Sequence, residues 1–171
     1  GILTSGDNVL AVRVDAPGSI VQEFEMLAGN EDDAEEFRSQ SAKGDPVGTV
    51  DLTSSDLELI HDPDAAMKNI DQWVGLRFPD VTVPHGATVL NAHIQFTAKE
   101  TCADATALTI QGLVGDTTPF SATLYNISQR SRTDATMAWA PAAWNVVGEQ
   151  GAAQKTPSLA SVVSELVTGA G

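Results

Sequence analysis

Between Trp73 and Ala98 apolar and polar residues alternate twice, and no other stretch of the chain limits its fold so sharply. Val74, Leu76 and Phe78 interleave with Trp73, Gly75 and Arg77. After a break at VPHGAT, Leu90, Ala92, Ile94 and Phe96 interleave with Asn91, His93 and Gln95. A repeat of two is that of a β-strand, whose successive side chains point to opposite faces of a sheet. The spacing predicts Val74, Leu76, Phe78, Leu90, Ala92, Ile94 and Phe96 turned inward, with Arg77, His93 and Gln95 turned out. Pro79, Pro84 and Gly86 stand between, where a continuous helix could not run, so the segment reads as two strands of a sandwich joined by a loop.

The same period recurs elsewhere. Asp7–Val14 and Ile20–Met26 alternate on either side of APGS and read as a hairpin; Val50–Ile60 and Ala107–Val114 read as further strands. Thr156–Gly169 differs. Leu159, Val162, Val163, Leu166 and Val167 form a helical stripe, with Thr156 suited to the N-cap, Pro157 to the first turn and Gly169 to the end. The chain is expected to be all-β, an antiparallel sandwich with one short C-terminal α-helix.

At 171 residues the chain has the length of a single domain. Its 23 acidic and 9 basic residues give a net charge of −14, which argues against nucleic acid and anionic lipid as partners, since both require clustered positive charge. The apolar runs are too short for a membrane-inserted helix, and GILTSGDN lacks the features of a secretion leader, so a secreted protein would be represented by its mature form or an excised part. Cys102 is the single cysteine and cannot form an internal disulfide; it reads as a small buried hydrophobe or a thiol for intermolecular linkage.

The acidic run Asn30–Glu36 reads either as a solvated surface or as part of a cation site. Calcium takes about six to eight oxygen ligands, and Glu36, Asp56 and Glu100 are the candidate side chains, without an EF-hand spacing to support them. His61, His85 and His93 are too scattered to suggest zinc. Asn126-Ile127-Ser128 has the form of a glycosylation acceptor. Trp139 and Trp144 flank Pro141, and with Tyr125 they offer a stacking platform for sugar rings, or else fill the core. No G-x-S-x-G, phosphate-binding loop or dinucleotide fingerprint is present, so an enzyme is not expected.

The segments DDAEE, VDLTSSDLEL, VGLRFPDVTVPHGATVLNAHIQFTAKE, LTIQG, NISQRSRTDATMAWAPAAW and TPSLASVVSELV, spanning Asp32 to Val167, resemble the DNRLRE-type and disaggregatase-related β-sandwich module of aquatic bacterial surface proteins. The resemblance implies a jelly-roll-like sandwich, an extracellular or cell-surface location, and no catalytic machinery. In such modules a closing strand pair follows the helix. Here the stretch similar to that ending, TSGDNVLAVRVDAPGSIVQEFEM, stands at the other end, so the chain divides into a strand pair and linker (1–30) and a sandwich body (31–171).

A sandwich without its closing strands would expose an apolar groove and unpaired backbone. The N-terminal strands can fold back into their own sandwich, or enter the groove of an identical subunit to build a head-to-tail polymer. The second arrangement makes the chain a structural subunit of an extracellular filament, with Leu10, Val12, Val14, Ile20, Phe24 and Met26 filling the groove. The alternative function is a carbohydrate-binding module with polysaccharide as partner and Ca²⁺ as a structural ion.

Overall fold

The computed structural model describes residues 2–4, 8–15, 20–26, 32–62, 70–79, 81–115 and 118–169, the first three of these segments by their backbone alone. The strands are β1 (Ile2–Thr4), β2 (Asn8–Asp15), β3 (Ile20–Met26), β4 (Asp33–Phe37), β5 (Val50–Asp51), β6 (Asp56–Glu58), β7 (His61–Asp62), β8 (Ile70–Leu76), β9 (Thr88–Gln95), β10 (Leu108–Ile110) and β11 (Met137–Trp139), followed by helix α1 (Ala160–Thr168). Every ladder among the described residues is antiparallel. The strands form a four-stranded sheet in the order β5-β4-β8-β7, a three-stranded sheet β3-β2-β9, and the ribbons β1-β6 and β10-β11. Among the described residues no helix is long and apolar enough to cross a membrane.

The two strands predicted from Trp73–Ala98 are β8 and β9. Val74, Leu76 and Phe78 pack on the main core as expected. That core gathers Leu57, Val89, Ala92, Ile94, Phe96, Trp139, Trp144 and Leu159, with the Phe96 and Trp139 rings stacked 5.6 Å apart. The opposite face of β8 is covered too. Trp73 packs against a second cluster of Ala34, Val50, Phe120 and Ile127, and the Arg38 and Arg132 guanidinium groups lie 4.8 and 4.9 Å from its ring centroid. Because the sheet is covered on both faces, all five residues of the acidic strand β4 are buried, where a solvated charge run was one expectation.

In β9 the alternation fails at one residue. Arg13 stands opposite Asn91 but Val14 stands opposite Val89, so the register steps over Leu90. An extra residue in one strand of a pair is a β-bulge, and it exchanges the faces on either side of itself. Ala92, Ile94 and Phe96 are buried as expected, but Leu90 is 47% exposed and Val89, at 8%, takes its place in the core.

Two further expectations change for local reasons. Val50–Ile60 is not one strand: the Thr53 N–H and hydroxyl both donate to Asp51 Oδ1 at 2.8 Å, a side-chain turn that separates β5 from β6. The helix starts at Ala160 rather than just after Thr156. Thr156 does not cap it, because Thr156 lies extended along β9: its N–H donates to the Ile94 carbonyl and its hydroxyl oxygen accepts the Ile94 N–H, both at 3.0 Å. The chain turns helical only after Leu159 has donated its own N–H to Ala92. Gly169 ends the helix with a positive φ of 46°, as its position predicts.

Candidate functional site

The segment 154–159 occupies one edge of β9, and the other edge belongs to the N-terminal hairpin. β2 and β3 pair from Asn8↔Met26 to Val14↔Ile20, and β2 lies along β9 from Val9↔Gln95 to Asp15↔Thr88. Within the single chain the hairpin thus sits on the chain's own β9. The side chains of Leu10, Val12, Val14, Ile20, Phe24 and Met26 lie outside what is described, as does the linker 27–30. Their register is described: Leu10, Val12 and Val14 stand opposite Ile94, Ala92 and Val89, three residues of the main core. Phe24 and Ile20 stand opposite Leu10 and Val14 in turn. Directly opposed positions share a face of the sheet, so this register sets those β2 and β3 positions on the core side. The β3 strand pairs only with β2 among the described residues.

The candidate calcium ligands do not come together. Glu36 is 1% exposed, and its Oε2 accepts the backbone N–H groups of Ile127 at 2.7 Å and Ser128 at 2.9 Å, so this carboxylate fastens the 120s loop to β4. Asp56 pairs with Lys99 Nζ at 2.9 Å. Glu100 is exposed on the turn that follows. Among the described residues no three His, Cys, Asp or Glu side chains are placed to hold a metal.

Sequence reasoning missed a different polar cluster behind β4. Adjacent residues of a strand face opposite ways, so while Glu36 meets the 120s loop, Glu35 faces β6 and β8. Its Oε1 accepts Gln72 Nε2 at 2.7 Å and the Glu58 backbone N–H at 2.9 Å, and Gln72 Nε2 also donates to the Glu58 carbonyl at 2.8 Å. Glu35 is 0% and Gln72 1% exposed. Burial pushes the Glu58 carboxyl up to about 8, reinforced by its hydrogen bond with Glu35 and by the charges of Glu35, Asp62 and Asp56. The signal available in the sequence was the pair of adjacent glutamates in an otherwise strand-like DAEEF, where two opposite faces must each accommodate a carboxylate.

The aromatic platform is also rearranged. Trp139 and Trp144 are 6% and 2% exposed, and Trp144 Nε1 donates to the Ala153 carbonyl at 2.9 Å. They are core fillers, and sugar stacking on their faces is ruled out by burial. Tyr125 alone remains at the surface, 37% exposed beside the exposed Leu124. It lines a shallow cleft of about 330 Å³ with Asn126, Gln129 and Arg130. Its backbone is left-handed (φ 63°), and its N–H donates to the Gly48 carbonyl at 2.8 Å. A Cβ on Gly48 would fall 2.4 Å from Tyr125 Cε1, so the ring lies directly on glycine backbone. Arg130 is fixed alongside by donating to the carbonyls of Thr118, Pro119 and Asn126 and to Asn126 Oδ1 at 2.7–2.9 Å.

No family model matches the chain, and neither the curated proteins nor the solved structures compared with it give a match.

Proposed function

We propose that the chain is a structural subunit of an extracellular or cell-surface filament, a jelly-roll-like sandwich of the DNRLRE type joined head to tail through its N-terminal hairpin. The supporting observation is the register of β2 on β9, which sets Leu10, Val12 and Val14 opposite three core residues of a strand distant in sequence. A hairpin near one end of the chain that completes the sheet of the body can complete a neighbour's sheet with the same ladder and the same opposed residues. Exchange then creates no new kind of contact, and the balance between closed monomer and chain of subunits depends on the linker and on protein concentration. Because the donor hairpin and the groove are different parts of one subunit, each head-to-tail exchange leaves another hairpin and another groove available, and the assembly grows as an open polymer.

Negative-stain electron microscopy of the intact chain, beside the same chain lacking residues 1–27, tests this directly. Filaments from the intact chain that disappear on truncation support it, and Phe24→Asp is expected to block growth while leaving the body folded. Monodisperse single particles at every concentration would sink the proposal.

A second reading rests on Tyr125. An exposed ring on a rigid, strained turn, flanked by a fixed guanidinium and side-chain amides, suits the apolar face and hydroxyl rim of a saccharide. Electrophoretic retardation by an embedded polysaccharide that is lost in Tyr125→Ala would favour it; equal mobility of the two proteins in all polysaccharides would dismiss it.

A further inference from the structure

The side-chain amide of Asn126 spends its oxygen and leaves its nitrogen over. Asn126 Oδ1 accepts the Ser121 N–H and Arg130 Nη2, both at 2.9 Å. Either partner can only donate, so the orientation of the amide is fixed by chemistry: a flipped side chain would set its N–H groups against two donors. Nδ2 has no hydrogen-bond partner among the described residues, and unlike Gln154 Nε2 it is not enclosed. Asn126 is one of the residues lining the open cleft beside Tyr125, which leaves Nδ2 as the side-chain atom free to react from solvent.

The surrounding sequence gives this nitrogen a chemistry. Asn126-Ile127-Ser128 is the acceptor pattern for N-linked glycans, with isoleucine rather than proline in the middle. Such a triplet on its own arises often by chance. What sets this one apart is that the contacts pinning the side chain are those a glycan leaves intact. Glycosylation replaces one hydrogen on Nδ2 by a sugar carbon, and the carbonyl oxygen keeps both its lone pairs for Ser121 and Arg130. Asn126 stands in a surface turn between the buried Phe120 and Ile127, so a glycan there displaces no core contact. The exposed ring of Tyr125, next in the chain, offers the first sugar an apolar wall.

We propose that Asn126 is a glycosylation site, modified at Nδ2 by an oligosaccharide delivered as a glycosyl diphosphate. In the transfer Nδ2 forms a bond to the anomeric carbon as the bond from that carbon to the diphosphate oxygen breaks. The electron pair leaves with the diphosphate, and Nδ2 gives up one proton to a base of the transferase. The fold also sets the order of events. The Ile127 and Ser128 N–H groups are both held by Glu36 Oε2, and Ile127 is 4% exposed. Once this loop has docked, the triplet cannot be drawn out into a transferase, so transfer precedes docking on β4 and the folded protein carries the glycan outside. The inference depends neither on the filament nor on free saccharide binding at Tyr125.

Peptide mass spectrometry of the native protein, with Asn126→Asp and Ser128→Ala produced in the same cells, decides the matter. The native peptide containing Asn126 is expected to carry a sugar mass on that residue, and both variants are expected to lose it completely. Enzymatic release of the glycan in heavy-oxygen water should convert Asn126 into a labelled aspartate, which identifies Nδ2 as the linked atom. Asn126→Asp keeps an oxygen for Ser121 and Arg130, so the loop stays pinned; Ser128→Ala is the second variant and leaves Asn126 untouched. An Asn126 that is bare in the native protein, or a sugar mass that survives on this peptide in either variant, would overturn the assignment.

Discussion

Glu36 Oε2 accepts the Ile127 N–H at 2.7 Å, joining β4 to a loop 91 residues further along the chain. The Ser128 N–H shares the same oxygen at 2.9 Å. Truncation by Glu36→Ala leaves two N–H groups without their acceptor at a site only 1% exposed. The expected loss is about 2–4 kcal/mol, from the roughly 1–3 kcal/mol attached to each buried group left unpaired. Glu36→Gln retains an acceptor oxygen and should lose less. Urea unfolding of the three proteins measures the difference, and a loss in Glu36→Ala no larger than that of an exposed substitution would remove Glu36 from this role.

Gly75 is held to glycine by Phe120. A Cβ at Gly75 would stand 2.7 Å from Phe120 Cζ and 3.1 Å from Ile127 Cδ1. Overpacking of this kind costs about 1–3 kcal/mol, which sets the expected effect of Gly75→Ala. Shrinking the partner by Phe120→Leu should restore part of the loss in the double variant, so that the two substitutions are less than additive. Strict additivity in thermal unfolding would show that the ring does not set the limit.

The Glu58 carboxyl gives a pH dependence with a definite sign. Its folded-state value of about 8 lies above the ordinary 4.5 of a glutamate, so between the two the native state holds a proton that the unfolded chain has already released. Its contribution to stability is fully present below pH 4.5 and is lost as the pH rises through 8. Since the side chain is only partly buried, the change over the whole shift is expected to be about 1–2 kcal/mol, well under what roughly 1.4 kcal/mol for every unit of the shift would give. Unfolding in chelator at pH 5 and pH 8.5 should show this decline, and Glu58→Gln should flatten it. A Glu58→Gln profile parallel to that of the parent protein would refute the assignment.

The strands were legible because their alternation is local. Val74, Leu76 and Phe78, Ala92, Ile94 and Phe96, and the Asn8–Met26 hairpin could all be read from neighbours two residues apart. What stayed hidden depends on partners far along the chain. Thr156 looks like a helix cap until Ile94 is present to occupy both its N–H and its hydroxyl. Glu36 looks like a surface acid or a metal ligand until the amides of Ile127 and Ser128 arrive. In sequence Trp139 and Trp144 fit either a core or a platform, and no local pattern decides, because an aromatic near a proline suits both. The polar cluster of Glu35, Glu58 and Gln72 draws one residue from each of β4, β6 and β8, with no spacing in common.

Leu90 carries the sharpest test of this distinction. Unbroken alternation makes Leu90 a core residue and Val89 a surface one, whereas the bulge against β2 makes Leu90 47% and Val89 8% exposed. Val89→Ala should then cost about 1–3 kcal/mol through the lost methyl groups and the cavity they leave, and Leu90→Ala should stay within about 0.5 kcal/mol. The contrast also reports on the hairpin. Because the register shift lies between Arg13 and Val14 on the β2 side, a chain lacking residues 1–27 no longer has the strand that defines the bulge. In that truncated chain the difference between the two substitutions should shrink. Equal costs at Val89 and Leu90 in the intact chain, or a difference unchanged by truncation, would mean that β2 does not set the faces of β9.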